Sequence, residues 1–217
     1  SMTGLARAFW HAQPPQRGDL AQWGDALPDF LQASPSLADA PYLADVARVE
    51  WSLHRAAGAT DPGDLVEGLA SLDRLSQDDP ATLGLRLAPG TSLVVSPYPV
   101  VSLVLAHGVA LPHGTEPPDL SEVRRRLHAG VTETACIWRV GHRPCLRQVD
   151  HTEATLMRSL LSGASLLQAV EEACLDNTAG ENVRPFDFAA WLRRAVFEQQ
   201  VLGSHALPLS PNGTRTP

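Results

Sequence analysis

The sequence predicts an α+β fold: an N-terminal helical bundle, then a small antiparallel sheet followed by three helices, the outline of a winged-helix-like recognition module. Three observations lead there. Apolar residues recur at helical spacing through much of residues 3–77. Two runs containing β-forming residues, Thr134–Val140 and Arg143–Val149, flank Gly141-His142. Three short helical patterns then follow one another, separated by Gly163 and by Pro185. The expected divisions are a helical domain at 3–77, an α+β peptide-recognition-like domain at 78–203 and a flexible tail at 204–217.

Taken in order, residues 3–12 form a short helix with Phe9 and Trp10, broken by Pro14-Pro15. Asp19 can cap the next segment, where Leu20, Trp23, Leu27, Phe30 and Leu31 share a face. Pro28 divides that segment and suits the first turn of its second half. A stronger helix begins near Pro41. Tyr42, Val46, Val49 and Leu53 form its stripe, Leu43, Trp51 and His54 flank it, and Gly58 ends it. From Asp61 to Gln77 the chain reads as a loop with one short helix carrying Leu65, Leu69 and Leu72.

Asp78-Asp79-Pro80 marks a boundary. Leu83, Leu85 and Leu87 alternate with Gly84 and Arg86, Pro89-Gly90 turns the chain, and Ser92–Val95 returns as a second strand. Pro97-Tyr98-Pro99 interrupts, and the apolar run Val100–Ala106 suits a short buried helix. Residues 108–118, with three prolines and two glycines, form a loop. A polar helix from Leu120 to Leu127 carries Arg124-Arg125-Arg126. In the hairpin that follows, Gly141 takes the first central position, where φ > 0 is needed. Asp150 and Glu153 have capping-box spacing ahead of Ala154, Leu156, Met157, Leu160 and Leu161. Ser165 starts a second helix with Leu166, Leu167, Val170 and Ala173. The third carries Phe186, Phe188, Ala189, Leu192, Val196 and Val201-Leu202 on or near one face.

The chain of 217 residues has a formal charge of −7, so no general basic field advertises nucleic acid. All 17 basic residues are arginine, which excludes a lysine nucleophile or Schiff base. Cys136, Cys145 and Cys174 form no CxxC pair. With no signal peptide and no apolar run of membrane length, the expected compartment is the cytoplasm. Ser1 before Met2 reads as an expression-tag remnant. There is no GxSxG, Walker loop, HExxH or dinucleotide fingerprint, in keeping with a chain that is not itself an enzyme.

The run Tyr42-Leu43-Ala-Asp-Val-Ala-Arg-Val-Glu50-Trp51-Ser-Leu-His54 resembles the most recognisable helix of a bacterial family once labelled as DNA-binding. Further matches are Pro14-Pro15 with Asp29-Phe30-Leu31, Leu85-Arg-Leu87 followed by Ser96-Pro-Tyr98-Pro99, Ile137-Trp138-Arg139, and Glu153-Ala-Thr-Leu156 with Leu160-Leu161-Ser-Gly163-Ala164. Each match is short; together they run in family order from about residue 5 to residue 202. The family includes the partner protein of methanobactin biosynthesis. The resemblance implies a non-catalytic partner subunit of a multinuclear non-haem iron-dependent oxidative enzyme of TIM-barrel fold, which helps it modify cysteines of a ribosomally made precursor peptide. Iron is then expected in the partner enzyme, with no cofactor of this chain's own. Many longer members carry an additional N-terminal helical region before the Pro-Pro stretch. This chain reads either as a compact version or as a shortened one.

The last module resembles, more loosely, peptide-recognition domains in which a leader peptide adds a strand to a sheet edge and rests on a helix. On that basis the expected peptide-binding residues are Val94, Val95, Ile137 and Arg139 on the sheet of 92–96 and 134–149, with Trp191 and Arg194 on the helix behind it. Tyr42, Glu50 and His54 are the expected enzyme-docking surface. Each has a plainer reading: His54 as a hydrogen-bonded core or interface histidine, Trp191 as core, and Arg124–Arg126 as a solvated helix face. Cys136 and Cys145 read as packed thiols. The alternative function is a DNA-binding transcriptional regulator, which the net charge disfavours.

Overall fold

The computed structural model describes residues 2–16, 18, 22–110, 116–176 and 185–208, and all structural statements concern these. The proposed Asp19 cap and Leu20 lie outside them, as do parts of the 108–118 loop and of the tail. The fold is α+β. Helices α1 (Met2–Ala12), α2 (Leu27–Gln32), α3 (Leu43–Ala57) and α4 (Leu65–Ala70) lead into strands β1 (Leu83–Leu87) and β2 (Ser92–Ser96). Helices α5 (Val100–Ala106) and α6 (Leu120–His128) precede the hairpin β3 (Glu133–Val140) and β4 (Arg143–Val149). Helices α7 (His151–Leu161), α8 (Leu166–Asp176) and α9 (Phe188–Phe197) and strand β5 (Val201–Ala206) complete the described chain.

Local chemistry explains the principal boundaries. Pro28 sits in the first turn of α2, where its missing N–H costs nothing. Asp64, Asp119, Asp150 and Asp187 each accept a backbone N–H at the start of a helix. Gly141 adopts φ +59° in the β3–β4 turn. Gly163 at φ +85° stops α7.

Two small antiparallel sheets result, β2-β3-β4 and β1-β5. The expected return of β2 along β1 is therefore corrected. At Pro89-Gly90, with Gly90 at φ +79°, the chain passes from one sheet to the other, and Ala88 N–H donates to the Gln200 carbonyl at 2.9 Å. The partner of β1 is β5, with Leu83 opposite Ala206 and Leu85 opposite Ser204. This corrects two further expectations. Val201-Leu202 lie in a strand rather than on the last helix, and residues 204–206 are paired strand rather than tail. The missed signal is weak because Gly203, Ser204 and His205 carry no apolar alternation.

The three-stranded sheet is covered on both faces. Val49, Leu53 and Ala56 of α3 pack with Val100, Val101 and Val104 of α5 against Ala135, Ile137 and Leu146. On the opposite face Cys136, Trp138 and Val149 pack against Leu156, Met157 and Leu160 of α7, Ala169 of α8 and Trp191 of α9. Central β3 is thus buried on both sides, from Ala135 through Arg139. A smaller cluster joins Leu31 of α2 to Ala44 and Ala47 of α3. The expected division at residue 77 falls across this packing, because α3 belongs to the core of the sheet. Among the described residues no helix is long and apolar enough to cross a membrane.

Candidate functional site

Strand β2 pairs with β3 on one side, and among the described residues no strand lies on its other side. Its sequence, Ser92-Leu-Val-Val-Ser96, contains no charge and no proline. Strand β4 is the opposite edge, but it is guarded. Pro144 has no N–H to offer, and Arg143 opens the strand with a charge. The two edges therefore differ: among the described residues, β2 has neither a pairing strand on its outer side nor a proline or charge within it.

At the Ser96 end of β2 the surface opens into a groove of about 480 Å³. Leu31, Leu37, Ala44, Val95, Pro97 and Tyr98 line it, with Asp45 and Arg48 beside them. The sequence builds its far wall by turning α2 back through a 3-10 turn at Pro35–Leu37 into the N-terminal end of α3. A polar network fixes β2 to that helix. Ser96 Oγ donates to Asp45 Oδ2 at 2.7 Å and accepts from Tyr98 N–H at 3.1 Å. Arg48 donates to Asp45 Oδ1 at 2.5 Å, to Asp29 at 2.9 Å and to Gln32 at 2.6 Å. Burial alone would lower the Arg48 pKa; its bonds to Asp45 and Asp29 outweigh this and raise it.

The expected peptide-binding residues separate into three groups. Val94 and Val95 lie on the free edge strand; Val94 packs toward α3 and α5, while Val95 is 64% exposed. Ile137 and Arg139 lie on β3 and are buried: Ile137 pairs with Ser92 of β2 and Leu146 of β4, and Arg139 with Pro144 of β4. Arg139 donates to the Thr60 carbonyl at 2.5 Å and to Asp61 at 3.0 Å, pinning the loop after α3. Trp191 and Arg194 meet at Glu153, which Arg147 of β4 also holds. Trp191 is 3% exposed and donates to Glu153 Oε1 at 2.9 Å, and Arg194 donates to the same oxygen at 2.7 Å. Trp191 is thus a core residue.

The expected docking residues are only partly together. Exposed Glu50 and His54 line a shallow groove of about 300 Å³ with Trp23, Leu27 and Trp51, and His54 stacks on Trp51 at 5.1 Å. Tyr42 instead meets Tyr98 edge-on at 6.4 Å, close to the groove at the end of β2. Among the described residues no three or more His, Cys, Asp or Glu side chains converge as a metal site.

The arginine cluster of α6 is largely engaged. Arg125 pairs with Glu122, and Arg126 donates at 2.9 Å to Glu133, whose side chain is fully buried. Both Ser102 N–H and Ser102 Oγ also donate to Glu133. No family model, no curated protein and no solved structure matches the chain.

Asp45, Arg48 and Ser96 were not among the expected site residues. One signal was present: Asp45 shares a helical face with Tyr42 and Val49, a charge set into an apolar stripe. Such a charge needs a partner, and two of those it finds are Asp29-paired Arg48, which lines the groove, and buried Ser96 at the end of β2.

Proposed function

We propose that this chain is the non-catalytic partner subunit of a multinuclear non-haem iron-dependent oxidative enzyme. It recognises the leader of a ribosomally made precursor peptide and presents the cysteine-containing core for modification. One observation carries the recognition half of this reading: β2 is an uncharged, proline-free edge strand whose neighbouring surface opens into a groove. An unfolded leader lacks backbone partners and such an edge lacks them too, so strand addition satisfies both. The family resemblance supports the oxidase half, with iron bound by the enzyme. The regulator reading is weakened by the pairing of Arg125, Arg126 and Arg194 with carboxylates.

The test is co-expression with a multinuclear iron-dependent oxidative enzyme of that class, followed by sizing chromatography and titration with its precursor's synthetic leader. The expected result is a stable complex that binds the leader when the enzyme alone does not. Val95→Pro, which removes a backbone donor from the edge strand, should abolish leader binding and leave the complex intact. Separate elution of the two proteins, with a salt-sensitive shift of duplex DNA by this chain, would establish the regulator instead.

A further inference from the structure

We propose that the groove at the end of β2 is a specificity pocket for one large apolar side chain of the leader, placed just beyond the segment that pairs with the strand. The inference rests on the leader-recognition reading and deepens it. Val95 belongs both to the edge strand and to the groove lining, and Pro97 and Tyr98 continue that lining, so edge and groove form one continuous surface. A chain paired along β2 that passes Ser96 therefore arrives over the groove.

The chemistry of the lining selects the occupant. Leu37, Pro41, Val95, Pro97 and Tyr98 offer apolar surface over buried Leu31 and Ala44, with Gln32 and Ser34 at the polar side. Arg48, the cation beside them, is already shared by Asp29, Asp45 and Gln32, and Asp45 is held by Ser96. An acidic side chain would have to displace these bonds, and a basic one would meet a guanidinium. An apolar side chain displaces nothing but water. The backbone ladder supplies affinity for any extended peptide, whereas this pocket distinguishes one leader from another and fixes its register. The groove at Trp51 is a poorer fit, because its ring already packs beside Gly24 and stacks on His54.

The probe is the fluorescein-labelled synthetic leader of the precursor that the co-expressed iron enzyme modifies, titrated into the intact chain and followed by anisotropy. Ala38 lines the groove and is exposed, so Ala38→Trp fills the pocket without entering the core. Ala38→Trp should weaken leader binding about tenfold, as expected from losing one buried apolar contact, with an unchanged thermal midpoint. Alanine substitution along the leader should find one large apolar residue whose loss weakens wild-type binding by a similar factor. That loss should have no further effect in Ala38→Trp. Wild-type affinity in Ala38→Trp, with Val95→Pro abolishing binding, would overturn the pocket and leave strand addition standing. Failure of the wild-type chain to bind the leader would overturn the recognition reading and the pocket with it.

Discussion

Arg147 of β4 holds Glu153 of α7 through two parallel hydrogen bonds of 2.9 and 2.7 Å. Glu153 occupies the capping-box position of α7, where its own N–H donates to Asp150 at 2.8 Å. Its carboxylate, instead of completing the box, turns inward to Arg147, Trp191 and Arg194. One buried side chain thus ties the hairpin, α7 and α9 together. Trp138 adds a second tie, donating to the Glu198 carbonyl at the end of α9 at 2.9 Å.

Removing that carboxylate leaves Arg147 and the Trp191 N–H without their principal acceptor. Glu153→Ala is expected to destabilise the chain by about 3 kcal/mol, measured by urea unfolding. A variant as stable as wild type would show that the cluster contributes nothing net.

Acid should act through the same residue. Burial alone would push the Glu153 carboxyl up, but the bonds and charge of Arg147, with Arg194 and Trp191, outweigh it and hold it below its ordinary value. A depressed folded-state value means that the unfolded chain takes up the proton first. The stability contributed is complete above the ordinary glutamate range, about pH 4 to 5, and is lost as pH falls through the depressed value. Glu153→Gln should flatten that part of the stability–pH curve, and an unaltered curve would assign acid sensitivity elsewhere.

The three thiols should react in a fixed order. Burial pushes the Cys136 thiol up to about 12, and Gln200 donates to its sulfur at 2.9 Å. Burial also raises Cys145, which is half-buried, whereas Cys174 is exposed. A disulfide-exchange reagent at pH 8 is expected to titrate Cys174 first and Cys145 more slowly, with Cys136 released only by denaturant. Prompt reaction of all three would contradict this packing.

Close backbone approach locks α4 to β5. A Cβ on Gly68 would lie 2.4 Å from the Leu202 carbonyl, and one on Gly203, at φ +155°, would lie 2.4 Å from the Gly68 carbonyl. Gly68→Ala should therefore cost about 2 kcal/mol or more by thermal unfolding, although alanine favours a helix in general. A neutral or stabilising substitution would show that this contact yields freely.

Enzyme docking is expected to use the exposed Glu50–His54 stretch of α3. Glu50→Arg reverses a surface charge outside the core. It should weaken the complex with the iron enzyme about tenfold while leaving leader binding unchanged. Equal affinity of the charge-reversed chain would move the docking surface to another face.

Much of the local structure was legible because it depends on neighbours in sequence. The stripe Val46, Val49, Leu53 gives α3, Gly141 gives the hairpin turn, and Asp150 caps α7. Val94 and Val95 were correctly placed on a strand that proved to be an edge. Ile137 and Arg139 were not legible as interior, since alternation does not say which strand is central.

By itself, then, the sequence determined several helix boundaries, such as the Asp150 start and Gly163 stop of α7, the β3–β4 turn and the α+β class, all set by short-range backbone and capping preferences. Tertiary structure decided that β1 pairs with β5 rather than β2, that α3 shares the core of the sheet, and that β2 is, among the described residues, an edge strand beside a groove. Those outcomes depend on which apolar faces bury one another across long stretches of chain. Hydrophobic burial has no direction along the sequence, so periodicity alone does not encode its partners.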